Sequence, residues 1–424
     1  MSKAVVTILG LAGYDGNTKS LKEHATYIYN GVEKRHYNIL PLLIEEFGEE
    51  YEIVPFYTEK SKEANKNILE AEGKEEWAER LFDNPHAQNI ELANVQNDFD
   101  LLLQKIDETM EAYEEVILDI SHGWRHLPLL AFIDAMMQNI RSPQKIRAIL
   151  FAKEIENQKR YEIVDLRSYL DLAMLTLLLN EFVKNYTILN NITFQDKEFE
   201  ELKRLLREFS INILSNSLFV LIKRGGVIDS ILGELDRMQD NETIRLFEKK
   251  LDTIRTYLKH LVDLYRDEEK AEYEKHLFLA KEFLQRDYYL NAISFLIESI
   301  ALKCTEIVIS LDQEFKEIAI EKLKQRNGTY AVNNFSKNII LHLDKDRFRT
   351  DKKFSVDREI IERLKRKLHA QPFAKDLSEL IHEVNTMRND LIHVNSSKSI
   401  RDIPARLKKA IDTFERKYMP IRIQ

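Results

Sequence analysis

Four short apolar runs stand out in the first part of the chain: Ala4 to Leu9, Tyr51 to Tyr57, Val116 to Ile120 and Ile146 to Phe151. Each has the length of a buried strand, and amphipathic stretches of helical spacing lie between them. That alternation predicts βα units around a mainly parallel sheet, an α/β, Rossmann-like domain. Tyr161 to Val164 is expected to add an edge strand, with Asp165, Leu166 and Arg167 leading out of it. From Ser168 onward the period changes to that of a helix, as in Leu170, Leu172, Leu175 and Leu178, and again in Leu377, Leu380, Ile381, Val384 and Met387. These are bundle helices, so an all-α C-terminal region follows the sheet. Glycine and proline punctuate the chain in the same way. Seven of the 11 glycines lie at or before Gly123, and no proline occurs between Pro143 and Pro372. No repeat or low-complexity segment interrupts the pattern, and Asn395 to Ser399 reads as a short loop.

Composition narrows the class. A chain of 424 residues with 44% apolar content buries a core for two or three domains. No stretch of 18 apolar residues could span a bilayer, and the opening MSKAVVTILGLAGYDG lacks the basic flank and cleavage site of a signal peptide. A soluble cytoplasmic protein without a membrane partner is expected. The one cysteine, Cys304, lies in the apolar run SFLIESIALKC, so neither a disulfide nor a cysteine metal cluster is expected and Cys304 reads as core. The net charge of −8 argues against indiscriminate coating of nucleic acid. The average hides an asymmetry. Residues 321–424 hold 24 Lys and Arg against 14 Asp and Glu, a balance of +10, which leaves −18 on the first 320. Either that quarter receives a polyanion or it is a solvated helix surface.

Ligands of parallel sheets bind beyond the carboxyl ends of the strands, and the polar clusters fall there. The first run enters a turn with Gly10, Gly13 and Gly16 spaced three apart, which lets backbone amides approach an anion. The spacing is neither that of a dinucleotide fingerprint nor that of a P-loop, so neither NAD nor ATP is implied. The third run leads into Asp119, Ser121, His122, Gly123, Trp124, Arg125 and His126, a concentration of donors suited to phosphate oxygens; for His122 alone a loop-stapling role stands beside a ligand contact. Thr58, Glu59, Lys60 and Ser61 follow the second run and are expected to line the same crevice.

The LG-x-x-x-Y loop, the TEKS loop and the stretch Asp119-Ile120-Ser121-His122-Gly123-Trp124-Arg125-His126-Leu127-Pro128 together resemble the CARF domain of type III CRISPR ancillary proteins. The resemblance implies a homodimer that binds cyclic oligoadenylate, the tetra-adenylate form being expected, with Gly13, Tyr14, Thr58, Ser121, His122, Gly123 and Arg125 as contacts. A symmetric dimer suits a symmetric ring.

Near the C-terminus, Arg388-Asn389-Asp390-Leu391-Ile392-His393 matches the R-x-x-x-x-H pattern of HEPN ribonucleases. RNA is cleaved without metal when its own 2′-hydroxyl attacks the adjacent phosphate. The protein then supplies proton transfer, a task for histidine, and charge stabilisation, a task for arginine. The products would carry a 2′,3′-cyclic phosphate and a 5′-hydroxyl. Arg80 to His86, Arg255 to His260 and Arg363 to His369 also fit the tolerated spacings. Context favours Arg388, which follows an amphipathic helix in the basic region and precedes the polar Asn389, whereas Arg255 reads as part of a solvated helix face. Residues five apart on an ideal helix diverge by roughly 140°. Either the helix is distorted there or two copies face each other across a shared cleft. The segment His276 to Cys304 resembles the other core helix of that fold.

The resemblance to the CARF–HEPN family places a sensor at residues 1–167, a helical connector at 168–264 and a ribonuclease domain at 265–424. It implies an RNase activated by cyclic oligoadenylate, acting on single-stranded RNA as a homodimer or a higher oligomer, with no cofactor and no metal. Two alternatives stand beside it: a ligand-responsive regulator that does not cut, and an RNase whose sensor also degrades its cyclic activator with help from Ser121 or His122.

Overall fold

The computed structural model describes residues 2–91, 98–122, 126–142, 144–157, 159–240, 244–325, 327–344, 354–392 and 400–423. The chain divides into two compact units. The first comprises Met1–Phe182, Thr187–Arg207 and Arg237–Phe247, and the second Val183–Tyr186, Glu208–Asp236 and Glu248–Gln424.

The first unit is built on β1 (Lys3–Ile8), β2 (Tyr14–Asp15), β3 (Ser20–Leu21), β4 (Ala25–Tyr29), β5 (Val32–His36), β6 (Glu52–Tyr57), β7 (Gln88–Asn89), β8 (Glu115–Asp119), β9 (Ile146–Glu156) and β10 (Arg160–Asp165). Eight of these form one sheet in the order β5-β4-β10-β9-β8-β1-β6-β7, and β2 pairs with β3 apart from it. β1 runs parallel to both β6 and β8, and β8 parallel to β9. Central parallel strands have both faces covered, and so the middle of β1 is apolar: Ala4, Val5 and Val6 are essentially inaccessible. The α/β expectation holds, with a correction to the last strand. β10 is not at an edge: it lies inside the sheet, antiparallel to β9 and parallel to β4. The edge belongs to β5, whose sequence VEKRH is mostly exposed and charged, as an edge strand without a neighbour needs to be. β4 and β5 form a hairpin closed by Asn30 and Gly31, both at positive φ (50° and 77°), the backbone that a tight two-residue hairpin turn demands.

Helices α1 (Leu40–Phe47), α2 (Glu59–Ala71), α3 (Glu75–Phe82), α4 (Phe99–Glu111) and α5 (His126–Arg141) belong to the first unit. α6 (Arg167–Asn185) and α7 (Lys197–Leu214) begin in the first unit and end in the second. Between α4 and α5, Asp107 accepts from Gln138 Nε2 at 2.8 Å and from Arg141 at 2.8 Å. Asp134, on the same face of α5, is wholly buried, and burial, reinforced by Asp107, pushes its carboxyl up to about 8.

The second unit holds α8 (Leu218–Ile222), α9 (Val227–Arg237), α10 (Glu248–Arg266), α11 (Glu272–Gln285), α12 (Tyr289–Leu311), α13 (Gln313–Leu323), α14 (Gly328–Leu341), α15 (Arg358–His369), α16 (Ala374–Ile392) and α17 (Ile403–Thr413). α12 is its axis, packed against α11, α14 and α16, and its mostly apolar sequence is buried on several sides, Cys304 included. Several polar groups inside this bundle are matched. Ser299 Oγ donates to Tyr273 O at 2.6 Å and Thr305 Oγ1 to Asn333 Oδ1 at 2.9 Å, while the buried Lys303 Nζ reaches Glu306 at 2.6 Å and Ile421 O at 2.8 Å. His276 to Cys304 is not one helix. α11 and α12 are separate, antiparallel to one another, and joined through Asp287 at φ 61°. Among the described residues no helix is long and apolar enough to cross a membrane.

Replacing Asp134 by Asn tests the burial argument. A carboxyl whose folded-state pKa is raised loses stability as pH climbs from its unfolded value, near 4, through the folded value near 8. Asp134→Asn is expected to match the wild type near pH 4 and to exceed it by about 1–3 kcal/mol at pH 8. Chemical denaturation at both pH values reads the difference.

Candidate ligand cavity and candidate nuclease site

In the first unit an open cavity of about 1330 Å³ lies at the carboxyl ends of β1, β6 and β8. Its lining includes the loop Gly10–Gly13, Thr58, Lys60, Ser61, Ser121 and His122, together with His24, Tyr27, Tyr37, Phe151 and Tyr161. It exceeds the roughly 300–1,000 Å³ typical of drug-sized sites.

The glycine loop is held through its carbonyls. Gly10 O accepts from Asn65 Nδ2 at 3.2 Å, Leu11 O from Tyr14 N at 3.1 Å, Ala12 O from Asn38 Nδ2 at 3.3 Å and Gly13 O from Lys22 N at 3.0 Å. Asn38 and Asn65 are buried and bonded to each other at 2.8 Å. Among the described residues none accepts from the N–H groups of Gly10, Leu11, Ala12 or Gly13. Four consecutive acceptors are therefore satisfied within the protein, while the N–H groups of the same cavity-lining residues have no acceptor among the described residues, the arrangement of an anion cradle. Gly13 must be glycine. Its φ is +77°, and a Cβ there would meet Tyr37 O at 2.2 Å.

At the end of β8, the buried Asp119 ties the neighbouring strands together. Thr7 Oγ1 donates to it at 2.7 Å, and Ser121 donates through Oγ at 2.6 Å and N at 3.1 Å. Ser121 Oγ also accepts from Ala152 N at 2.9 Å. Its proton is thus committed, and Ser121 acts on the cavity mainly by shaping the strand end. His122 lines the cavity with Nε2 buried and without a hydrogen-bond partner among the described residues. Burial pushes its imidazole pKa down, against the pull of Asp119, so the ring is neutral near pH 7. Thr58 caps α2: its Oγ1 accepts from Ser61 N at 3.2 Å, and Ser61 Oγ accepts from Thr58 N at 2.9 Å. Tyr14 is not part of the lining. It is buried under the loop against Ala64 and Ile68, and its hydroxyl accepts from Asn67 at 3.2 Å. Gly123 and Arg125 lie outside the described residues.

The aromatic wall was not foreseen from sequence. Tyr27 and Tyr161 sit opposite each other in the parallel register of β4 and β10 and stack at 5.3 Å. His24 and Tyr37 are the next pair beyond Ala25 and His36 in the β4–β5 register and stack at 3.9 Å with rings inclined by 28°. The Asn30-Gly31 dipeptide was the signal that could have revealed them, since it marks a hairpin.

In the second unit Arg388 and Asn389 are exposed on α16, and Met387 beside them is buried. His393 lies outside the described residues, as does the stretch Asn395 to Ser399. Among the described residues Arg388 makes no hydrogen bond or ion pair. The three rival arginines are all engaged. Arg363 grips Asp312 at 2.6 and 3.1 Å and Glu314 at 2.6 Å. Arg80 stacks on Trp77, 4.3 Å from the ring centre. Arg255 is not on a solvated face, as its spacing had suggested. Its side chain is 13% exposed and held by Asp252, by Asp236 at 3.4 Å and by Leu235 O at 3.2 Å. Near Arg388 stands Lys337 of α14, whose pKa burial pushes down, with Glu298 of α12 pulling it up and Arg388 pushing it lower. Neither Lys337 nor its relation to Arg388 was read from sequence. No group of three or more His, Cys, Asp or Glu suited to a metal occurs among the described residues.

No protein-family model matches the sequence, and no curated protein matches it. Among solved structures the chain is similar to Enterococcus italicus Csm6 bound to cyclic hexa-2'-fluoro-hexa-dAMP, at 15% identity over 99% of this chain and 95% of that one, with a TM-score of 0.36. At that identity and score the likeness decides neither the site nor its chemistry.

The loop geometry gives a direct comparison. Gly13→Ala is expected to cost about 1–3 kcal/mol through its left-handed backbone and the clash with Tyr37. Gly16→Ala, whose added Cβ meets only Leu11 at an ordinary 3.7 Å, should cost less. Equal losses in thermal denaturation would remove the structural requirement at Gly13.

Proposed function

We propose that the protein is an endoribonuclease of the CARF–HEPN kind, in which a cyclic oligoadenylate bound by the first unit activates metal-independent cleavage of single-stranded RNA by the second, as part of type III CRISPR antiviral defence. The observation that carries the ligand reading is the cavity itself. The Gly10–Gly13 loop, whose N–H groups have no acceptor among the described residues, and the stacked aromatic rings line it together. A nucleotide has both chemistries, phosphate and base, and a volume of about 1330 Å³ leaves room for more than one. His122 offers its buried Nε2 at the same wall, its ring already bonding the Ser121 backbone.

For the reaction, support comes from Arg388, which is exposed and unpaired among the described residues while its competitors are used structurally. A guanidinium kept free can hold a phosphoryl oxygen, and His393 would move the proton from the 2′-hydroxyl or to the leaving 5′-oxygen. Asn389 would assist in orienting the phosphate. Arg388 and Asn389 lie on regular helix, so a homodimer in which two such helices face each other completes the cleft. Activation requires that the ligand bind the competent state more tightly than the resting one.

The test is a fluorescent-RNA assay with a panel of cyclic oligoadenylates, run in EDTA. Cyclic tetra-adenylate should stimulate cleavage, and Arg388→Ala or His393→Ala should each reduce it by about 100-fold or more. Retention of activated cleavage by both variants would sink the active-site assignment. Tight activator binding without RNA turnover would favour a regulator that does not cut.

A further inference from the structure

The stacked pair at the base of the β4–β5 hairpin is arranged as a platform for a ring that the protein itself does not supply. His24 lines the cavity and keeps 38% of its side chain exposed although one of its faces is covered by Tyr37. Tyr27 is not comparable: it is 1% exposed, with Tyr161 already against it. Of the two well-exposed rings of the wall, His24 and Phe151, His24 is the one stacked on a second ring among the described residues.

The platform is fixed from behind. Glu72, at the end of α2, accepts from Tyr37 N at 3.1 Å through one oxygen and from His36 Nδ1 at 3.1 Å through the other, and its Oε1 lies 3.8 Å from His24 Nε2. One mostly buried carboxylate therefore holds the Tyr37 backbone and the His36 ring and lies beside His24, and a ligand stacking on His24 meets a ring already in place. The platform also abuts the anion cradle. Gly13 packs so closely on the Tyr37 carbonyl that no Cβ fits between them. A phosphate on the loop amides and a base on His24 would be neighbours within one nucleotide.

We infer that His24, backed by Tyr37 and held by Glu72, is the base-stacking residue of this cavity and takes a purine ring of the bound nucleotide. The inference rests on the nucleotide reading above and adds to it the group that recognises the base rather than the phosphate. Stacking of a base on an aromatic side chain is sequence-tolerant, so His24 contributes affinity for base-bearing ligands generally.

Calorimetric titration of the full chain with cyclic tetra-adenylate, AMP and inorganic tripolyphosphate separates the outcomes. His24→Ala should weaken the two base-bearing ligands by about 5- to 100-fold and leave tripolyphosphate unchanged, and His24→Phe should restore them. In His24→Trp, the added indole should be quenched by cyclic tetra-adenylate and by AMP but not by tripolyphosphate, a reading that does not depend on the alanine variant folding. Wild-type binding of AMP with this His24 dependence, but none of any cyclic oligoadenylate, would overturn the cyclic activator and keep the platform. Unchanged affinity in His24→Ala, equal weakening of tripolyphosphate, or failure of His24→Phe to restore binding would overturn the platform while leaving the cyclic activator standing. Absence of any base-bearing ligand on the wild type would overturn both.

Discussion

The cavity depends on two buried amides. Asn38 and Asn65 are bonded to each other, and each also takes a loop carbonyl: Ala12 O for the first and Gly10 O for the second. Asn38 Oδ1 accepts from Leu40 N at the start of α1, and Asn65 Nδ2 donates to Ser61 O in α2. The pair therefore clamps the loop after β1 to two helices at once. A buried amide hydrogen bond contributes about 1 kcal/mol net, but a partner left without one costs about 1–3 kcal/mol, so the network holds as a unit. Its chemical effect exceeds its energetic one. By consuming acceptors it leaves donors, and a loop that would otherwise be electrically neutral becomes attractive to anions.

That polarity is completed by the wall that adjoins it. The β4–β5 hairpin adds an aromatic wall to a sheet whose other strand ends carry small polar groups, so one crevice holds the two chemistries of a nucleotide. The assignments within it differ in kind. Thr58 and Ser121 spend their hydroxyls on the protein, capping α2 and closing the end of β8, and they shape the wall. His122 and the loop amides have capacity left over. Tyr14 supports the loop from beneath, so a residue that belongs to the motif serves the site without lining it.

In the second unit the same distinction between engaged and available groups separates four arginines that sequence spacing could not. Asp312 shows the engaged case. It caps α13 through Phe315 N at 3.1 Å and receives both Arg363 and Lys367, and the Arg363 guanidinium holds its carboxyl well below the usual carboxylate range. A guanidinium so used fastens α15 to the start of α13 and has little left for a phosphate. Arg388 has no such partner among the described residues, and Lys337 stands near it as a second cation.

The sequence by itself determined the parts that repeat. Buried parallel strands must be apolar along their length and helices must keep one face apolar, so β1, β6, β8, the start of β9 and the bundle helices were all legible, as was the glycine turn at Gly13. Tertiary structure alone decided what depends on pairing. β4 is short and buries only Ala25 and Tyr27, and β5 is mostly exposed and charged, so neither shows a continuous apolar run. Only their register brings His24 to Tyr37 across 12 intervening residues and Tyr161 beside Tyr27. Likewise, whether a hydroxyl, imidazole or guanidinium is spent or free is a property of its neighbours in space, which spacing along the chain does not encode.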